Sequence, residues 1–364
     1  MTTKIKKIEL EHLGYDAFFE SAVNKLELNN YLVARVMAEY KGAYIVRDSN
    51  NEYAAKITGK QMFNALSRED YPAVGDWVVV EAVDNGLAVI HKILSRRTIL
   101  RKKYGSKQGT QVIAANIDVA FIVESVDRDY NLNRFERYFA LASEDNIKPA
   151  IVLNKTDLIS QTELNLKIYQ IKNRFNNIDV IPTSAITKKG LDELIAIIIK
   201  GKTYCFLGSS GVGKSSLINK LIGENLIKTS AISLSTGRGK HTTSNRKMYF
   251  LDNGGIIIDN PGMRGVGMTD SEDGIEEVFD EIVALSENCK FKDCTHTNEP
   301  GCAVLSAMKA DKLDKNKYSN YIKLKKESKY YGMSDLEKRR KDHKFGKFIK
   351  KSLAIIKSAK SYEG

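Results

Sequence analysis

Short runs of β-branched and aromatic residues dominate the N-terminal part of the chain. These runs predict five strands, at residues 32–36, 43–46, 53–57, 77–81 and 87–93. The segments 48–51 and 84–86 between them carry the residues that turns prefer. Five short strands of this kind predict a small antiparallel barrel of the OB type. Tyr44, Tyr53 and Trp77 are candidates for stacking on nucleic-acid bases, but positions in the barrel core are the favoured interpretation.

Beyond residue 118 the pattern changes to continuous apolar runs that alternate with helical segments. The apolar runs predict strands at residues 119–123, 150–153, 180–181, 204–207, 248–251 and 256–258. Such alternation is typical of an α/β domain whose mostly parallel sheet carries helices on both faces. Residues 95–115, between the two patterns, are polar and basic and are predicted to be a linker. Beyond residue 273 the chain is predicted to be helical, with a cluster of cysteines before a basic end.

Composition and charge narrow the class of protein. The mean hydropathy is −0.33 and no apolar stretch is long enough to cross a bilayer, so we expect no membrane partner. Residues 1–10 lack the apolar core of a secretory signal, which predicts a cytoplasmic protein with reduced thiols. The net charge of +12 indicates a polyanionic partner. Residues 311–364 hold 17 Lys and Arg against 7 Asp and Glu, so this end either binds RNA or is only a solvated tail.

A glycine-rich segment follows the predicted strand at residues 204–207. It fits the pattern G-x-x-x-x-G-K-S/T of phosphate loops, and a helical segment comes directly after it. The glycines let backbone N–H groups converge on phosphates, Lys214 adds a positive charge, and the Ser215 hydroxyl is placed to bind Mg²⁺. The predicted phosphate-binding residues are Gly208, Ser209, Ser210, Gly211, Val212, Gly213, Lys214, Ser215 and Ser216.

Two further segments indicate that the bound base is guanine. Asn154, Lys155 and Asp157 follow a predicted strand and resemble the N-K-x-D motif of GTPases. In that family the aspartate accepts two hydrogen bonds from the guanine edge, the lysine stem covers the base and the asparagine ties the loop. Adenine lacks those donors, so a buried Asp157 would be left unpaired with ATP. The second guanine-contacting loop of GTPases is matched by Thr183, Ser184 and Ala185.

Elements that sense the terminal phosphate come later in the chain. Asp259 and Gly262 look like a D-x-x-G element, which positions Mg²⁺ through a water. Thr242 and Thr243 lie where GTPases keep a switch threonine; we assign both, with Lys214, to catalysis and Thr243 to Mg²⁺. Guanine segments that precede the phosphate loop indicate circular permutation, which preserves a site when the old termini lie close together. The switch segments then lead directly into the C-terminal module, so we expect loss of the γ-phosphate to affect that module.

Cysteines cluster in the predicted C-terminal module. Cys289, Cys294, His296 and Cys302 follow the spacing C-x4-C-x-H-x5-C, and three thiolates with one imidazole suit a single tetrahedral Zn²⁺. Because the protein would fill all four coordination positions, the metal is expected to brace the fold and not to catalyse. Cys205 lies in a predicted apolar strand and is assigned no chemistry.

The order of these motifs, with a small barrel before them and the cysteine cluster after them, resembles the ribosome small-subunit-dependent GTPase A family, RsgA, over nearly the whole chain. The resemblance implies an OB-fold domain, a circularly permuted P-loop GTPase domain and a C-terminal zinc-binding helical domain. It also implies GTP hydrolysis stimulated by the small ribosomal subunit during its late maturation, with binding of rRNA. We predict a monomer with four parts: barrel domain 1–97, basic linker 98–115, permuted GTPase domain 116–273, and zinc-binding module with basic helical tail 274–364.

Some of the chemistry stays open at this stage. Met263 stands where Ras-like GTPases hold a water-orienting glutamine, so intrinsic hydrolysis is expected to be slow. His241 is our candidate for the missing group, with a surface or structural histidine as the alternative. Two other functions also fit the sequence: a permuted GTPase that acts on the large subunit or another structured RNA, and an RNA-binding protein with a vestigial nucleotide site.

Overall fold

The computed structural model describes residues 9–26, 31–40, 42–103, 110–127, 130–175, 178–223, 246–259, 272–334, 336–341 and 343. In these ranges the strands are β1 Leu32–Tyr40, β2 Ala43–Arg47, β3 Glu52–Ile57, β4 Trp77–Val83, β5 Leu87–Ile93, β6 Ile99–Lys103, β7 Thr110–Ala115, β8 Val119–Ser125, β9 Lys148–Asn154, β10 Val180–Pro182, β11 Thr203–Leu207, β12 Arg246–Phe250 and β13 Ile256–Asp259. The helices are α1 Ala17–Val23, α2 Gly59–Asn64, α3 Leu132–Glu144, α4 Gln161–Arg174, α5 Leu191–Ala196, α6 Lys214–Ile222, α7 Glu272–Val278, α8 Asp280–Ser286, α9 Ala303–Lys309 and α10 Lys315–Gly332.

Strands β1 to β5 form a closed barrel. Their order is β1-β2-β3-β5-β4, and β4 also pairs with β1. The β3–β5 pair is parallel and the other pairs are antiparallel, so the barrel has the five-stranded closure of the OB type. Tyr44, Tyr53 and Trp77 are all buried, which supports their interpretation as core residues. The predicted barrel is therefore confirmed.

The larger sheet is mostly parallel, as predicted. Strands β10, β9, β8, β11 and β13 run parallel in that order, and β12 is antiparallel to β13. Helices α3 and α4 pack on one face through Phe139 and Leu164, and helices α5 and α6 pack on the other through Leu194 and Leu217. Alternate strand residues point to opposite faces, because the side-chain period of a strand is two. The α/β prediction with helices on both faces is confirmed.

The structure corrects the prediction of a linker at residues 98–115. Strands β6 and β7 pair as an antiparallel hairpin within this segment, and Leu100, Val112 and Ala114 are buried. Arg101 forms ion pairs with Glu69 and Asp145. These ion pairs hold the hairpin in place together with its buried apolar side chains. The strand character of β6 was concealed because its two apolar residues are followed by three consecutive basic residues, 101–103.

Arg35 of β1 ties the barrel to the strand that carries the phosphate loop. Its guanidinium is buried and donates hydrogen bonds to the Gly75 carbonyl at 3.2 Å, the Asn116 carbonyl at 3.3 Å and Thr203 Oγ1 at 2.9 Å. Strand β12 also pairs with β1. The barrel and the larger sheet are therefore joined through hydrogen bonds at more than one place.

The C-terminal helices rest on α3. Gly274 of α7 lies so close to α3 that an added Cβ would be 2.2 Å from the Ala140 carbonyl oxygen. Arg137 of α3 forms a bidentate ion pair with Glu327 of α10, with N–O distances of 2.8 and 2.5 Å. None of the helices in the described ranges has the length and apolarity that a membrane span needs.

Candidate nucleotide-binding site and metal centre

The phosphate loop connects β11 to α6 in a conformation that glycine permits. Gly208, Gly211 and Gly213 have φ angles of 145°, 87° and 98°, which L residues rarely adopt. An added Cβ on Gly208 would be 2.2 Å from the Val123 carbonyl oxygen, and one on Gly213 would be 2.3 Å from Asn154 Nδ2. The loop is therefore pressed against the ends of β8 and β9, and only glycine fits at these two positions.

Lys214 starts helix α6 and folds its side chain back over the loop. Its Nζ donates hydrogen bonds to the carbonyl oxygens of Gly208 at 2.8 Å and Ser209 at 2.7 Å. Ser215 and Ser216 stand in the first turn of α6, where backbone N–H groups lack helical partners. A positive charge and free N–H groups at one place form an arrangement that binds phosphate.

Asn154 joins the predicted guanine segments to the phosphate loop. Its Nδ2 donates to the Val212 carbonyl oxygen at 2.8 Å, although the two residues are 58 positions apart. Its Oδ1 accepts a hydrogen bond from Thr183 Oγ1 at 3.2 Å. The buried Asn154 amide therefore connects three segments whose motifs predict contacts with one nucleotide: the N-K-x-D segment, the phosphate loop and the second guanine-contacting loop.

Asp157 and Ser184 link the two guanine segments directly. Ser184 Oγ donates to Asp157 Oδ1 at 2.5 Å and accepts hydrogen bonds from the backbone N–H groups of Ile186 and Thr187. Ala185, the third residue predicted in this loop, is half-buried beside Ser184. Asp157 itself is exposed, which corrects the expectation of a buried carboxylate. It lies in a short 3-10 turn that follows β9, and its carboxylate accepts a hydrogen bond from Ser184 Oγ.

Lys155 has a partner that the motif did not reveal. Its Nζ lies 2.9 Å from Asp127 Oδ2, and Asp127 Oδ1 accepts a hydrogen bond from Ser125 Oγ at 2.8 Å. The signal available in the sequence was the position of Asp127 just beyond strand β8, at the same sheet edge as the N-K-x-D segment. Tyr138 was also missed: it is buried, burial raises the pKa of its hydroxyl, and the side chain of Ser209 in the phosphate loop opposes the rise.

Asp259 ends strand β13 beside the phosphate loop. The preceding residue, Ile258, pairs with Cys205 of β11, so the carboxylate lies at the edge where the loop begins. Burial raises the pKa of Asp259 to about 6, while the positive charge of Lys214 opposes the rise. A cation near this carboxylate would favour its ionised form. The predicted residues His241, Thr242, Thr243 and Gly262 lie outside the described ranges.

Three cysteines and one histidine converge in the C-terminal module. The four potential ligand atoms of Cys289, Cys294, His296 and Cys302 lie within 4.8 Å of one another. The Sγ atoms of Cys289 and Cys302 are 3.8 Å apart, and they lie 3.6 and 3.5 Å from His296 Nδ1. Tetrahedral Zn²⁺ with bonds of about 2.3 Å to sulfur and about 2.0 Å to nitrogen requires separations of about 3.8 and 3.5 Å. The cluster therefore fits a metal ion such as zinc.

Backbone N–H groups around the cluster favour the thiolate of Cys289, whereas burial raises the pKa of Cys294 to about 11. Ala303 N–H donates to Cys289 Sγ and Leu305 N–H donates to Cys302 Sγ, each at 3.4 Å. Burial alone would raise the pKa of Cys289, but the N–H groups of Ala303 and Val304 bring it below its ordinary value. In contrast, burial raises the pKa of Cys205 to about 12, consistent with a core residue that has no chemistry.

This combination defines a circularly permuted GTPase, with the guanine segments before the phosphate loop in one parallel sheet. A model of the RsgA GTPase family matches residues 93–269. The chain is 40% identical to "Small ribosomal subunit biogenesis GTPase RsgA 1" of Bacteroides thetaiotaomicron, over 86% of this chain and 88% of that protein. The chain belongs to the RsgA GTPase family, and its resemblance to that family is confirmed.

Two solved structures share the fold. YjeQ from Thermotoga maritima is 26% identical, with a TM-score of 0.59 over 81% of this chain and 97% of that chain. YloQ, described as a circularly permuted GTPase, is 25% identical, with a TM-score of 0.57 over 83% of this chain and 96% of that chain. The permuted order of the motifs is therefore shared with a solved relative.

Proposed function

We propose that this chain hydrolyses GTP to GDP and phosphate as a late maturation and release factor of the small ribosomal subunit, whose rRNA it binds. The hydrogen bond from Asn154 to the Val212 carbonyl is the main support for nucleotide binding. It joins the predicted base-binding segment to the phosphate loop, so both can form one pocket. The name of the Bacteroides relative supports the ribosomal part. The net charge of +12 suits an RNA partner.

The nucleotide roles follow from this pocket. The backbone of residues 208–216, with Lys214, binds the phosphates, and the residues of the two guanine segments bind the base. Ser215, Thr243, Asp259 and Gly262 hold Mg²⁺ and the terminal phosphate. When bound, Mg²⁺ supplies positive charge to the phosphoryl oxygens. The acidic Asp259 and the hydroxyl of Ser215 are oxygen donors of the kind that Mg²⁺ prefers.

The remaining roles concern stability and hydrolysis. Cys289, Cys294, His296 and Cys302 hold one Zn²⁺, which stabilises the C-terminal module. We keep His241 as the group that orients the attacking water with Thr242, because Met263 has no hydrogen-bonding group able to do so. We also propose that the protein acts as a monomer in the cytoplasm. The boundaries of the barrel, GTPase and zinc-binding domains stay as predicted, with the β6–β7 hairpin between the first two.

The contacts of α3 support transmission from the nucleotide to the C-terminal module. Tyr138 of α3 lies near Ser209 in the phosphate loop, where Ser209 lowers the pKa of the Tyr138 hydroxyl, and one residue earlier Arg137 pairs with Glu327 of α10. Helix α7, which follows the D-x-x-G segment in the sequence, packs closely on α3 at Gly274. A change at the γ-phosphate can thus reach the C-terminal module, which we propose to contact rRNA, in two ways. One is through α3 and the other is through α7.

Adding isolated small ribosomal subunits should accelerate GTP turnover by about tenfold or more, because Met263 cannot orient the attacking water and a bound partner can place the switch residue His241 to do so. Turnover is measured as phosphate release with small subunits, with large subunits and with neither. Lys214→Ala is the control for contaminating GTPases and should lose turnover in every arm. Equal turnover in all arms would contradict the ribosomal part, and stimulation by large subunits alone would favour the other permuted-GTPase function.

A further inference from the structure

Lys155 is held by a carboxylate outside the guanine motif. Strands β8 and β9 are parallel neighbours, and the Val126 N–H donates to the Asn154 carbonyl at 3.0 Å just beyond them. This contact places Asp127 beside Lys155, with Asp127 Oδ2 2.9 Å from Lys155 Nζ. Both side chains are largely shielded, with exposed fractions of 25% and 20%. The pair therefore lies at the same sheet edge as the N-K-x-D segment.

Asp127 is itself fixed in place. Its other carboxylate oxygen accepts the Ser125 hydroxyl at 2.8 Å, and Ser125 is a buried residue that pairs with Asn154 across β8 and β9. A free lysine side chain has many rotamers, so an anchored acceptor at its tip restricts where its aliphatic stem lies. The Lys155 backbone is also unusual, with φ of 64°, which turns the side chain away from the path of the strand.

We propose that Asp127 is a positioning residue for guanine binding, because it holds the Lys155 stem where the stem forms one wall of the base pocket. This inference rests on the proposed function and adds a residue to that site. Asp127 forms an ion pair with Lys155 of the base segment and accepts a hydrogen bond from Ser125 at the end of β8. Its removal should therefore weaken binding of GTP and GDP alike and leave hydrolysis of bound GTP unchanged.

The test measures dissociation constants for GTP and GDP, together with kcat at saturating GTP. Asp127→Ala should raise both dissociation constants by about three- to fivefold, the range expected for a partly exposed ion pair, with kcat within twofold of wild type. Asp127→Glu should recover most of the affinity, since it keeps the charge. Asp179→Ala, which removes an exposed carboxylate near β10, is the matched control and should bind like wild type.

A double-mutant cycle with Lys155→Ala separates positioning from a general structural role. If Asp127 acts through Lys155, adding Asp127→Ala to the Lys155→Ala chain should change affinity by less than about twofold. An unchanged affinity in Asp127→Ala, or an equal loss in both backgrounds, would overturn the inference while the proposed function stands. A wild-type chain that fails to bind guanine nucleotides would overturn both.

Discussion

Replacing Asp157 with asparagine should reverse the base preference of the nucleotide site. The Asp157 carboxylate is oriented by Ser184 Oγ, leaving acceptor capacity for the two N–H donors of guanine. The asparagine amide presents a donor there, which suits the 2-oxo group of xanthine. We expect affinity for GTP to fall by about 100-fold, the effect of lost hydrogen bonds to a charged group, and affinity for xanthosine triphosphate to rise. Competition against a fluorescent guanine nucleotide measures both changes.

Ser184→Ala provides a graded control for this reversal. It removes the hydroxyl that orients Asp157 but leaves the carboxylate, so the loss of GTP affinity should be only a few-fold. A chain with Asp157→Asn that keeps its preference for GTP over xanthosine triphosphate would remove Asp157 from its assigned role.

Replacing Cys302, a proposed zinc ligand, should unfold the C-terminal module. Cys302 is buried and precedes α9, and its Sγ is 3.8 Å from that of Cys289. Because metal binding at such sites is coupled to folding, we expect Cys302→Ser to cost on the order of 5 kcal/mol or more. Elemental analysis should find one zinc per wild-type chain and much less in the variant. Circular dichroism should show a loss of helix of the size of α8 to α10.

Cys205→Ser is the matched control for the zinc prediction. It also changes one buried cysteine to serine, but Cys205 lies in β11 within the apolar core. This variant should keep its zinc, although it loses some stability because a hydroxyl is buried. Wild-type protein that contains no metal, or that keeps its helical module after chelation, would contradict the assignment.

Local sequence patterns predicted most of the fold. Short β-branched and aromatic runs indicated the barrel, and apolar runs that alternate with helical segments indicated the α/β domain. The apolar runs at residues 77–81, 87–93 and 204–207 all form strands close to where they were expected. The β6–β7 hairpin was missed because its short strands carry Arg101 and Lys102, and charged residues weaken the apolar signal. Its burial depends on contacts with Asp145 and Glu69, which lie far away in sequence.

The residues of the candidate site that belong to contiguous sequence motifs could be predicted from the sequence. The phosphate loop and the N-K-x-D segment were found in this way, and the structure places them in contact through Asn154. Asp127 and Tyr138 were missed because single residues at a strand end or on a helix carry no motif. The exposure of Asp157 was also missed, because burial in a binding loop depends on its neighbours in space.

One pocket is proposed to bind the base of GTP and its phosphates at once. Titration calorimetry of the wild-type chain with Mg²⁺ and either GDP or ADP measures this binding. We predict that each chain binds one GDP, with an affinity at least about 100-fold higher than for ADP. Adenine lacks the N–H groups from which Asp157 would accept hydrogen bonds. Comparable affinities for GDP and ADP, or no binding of either, would contradict the account.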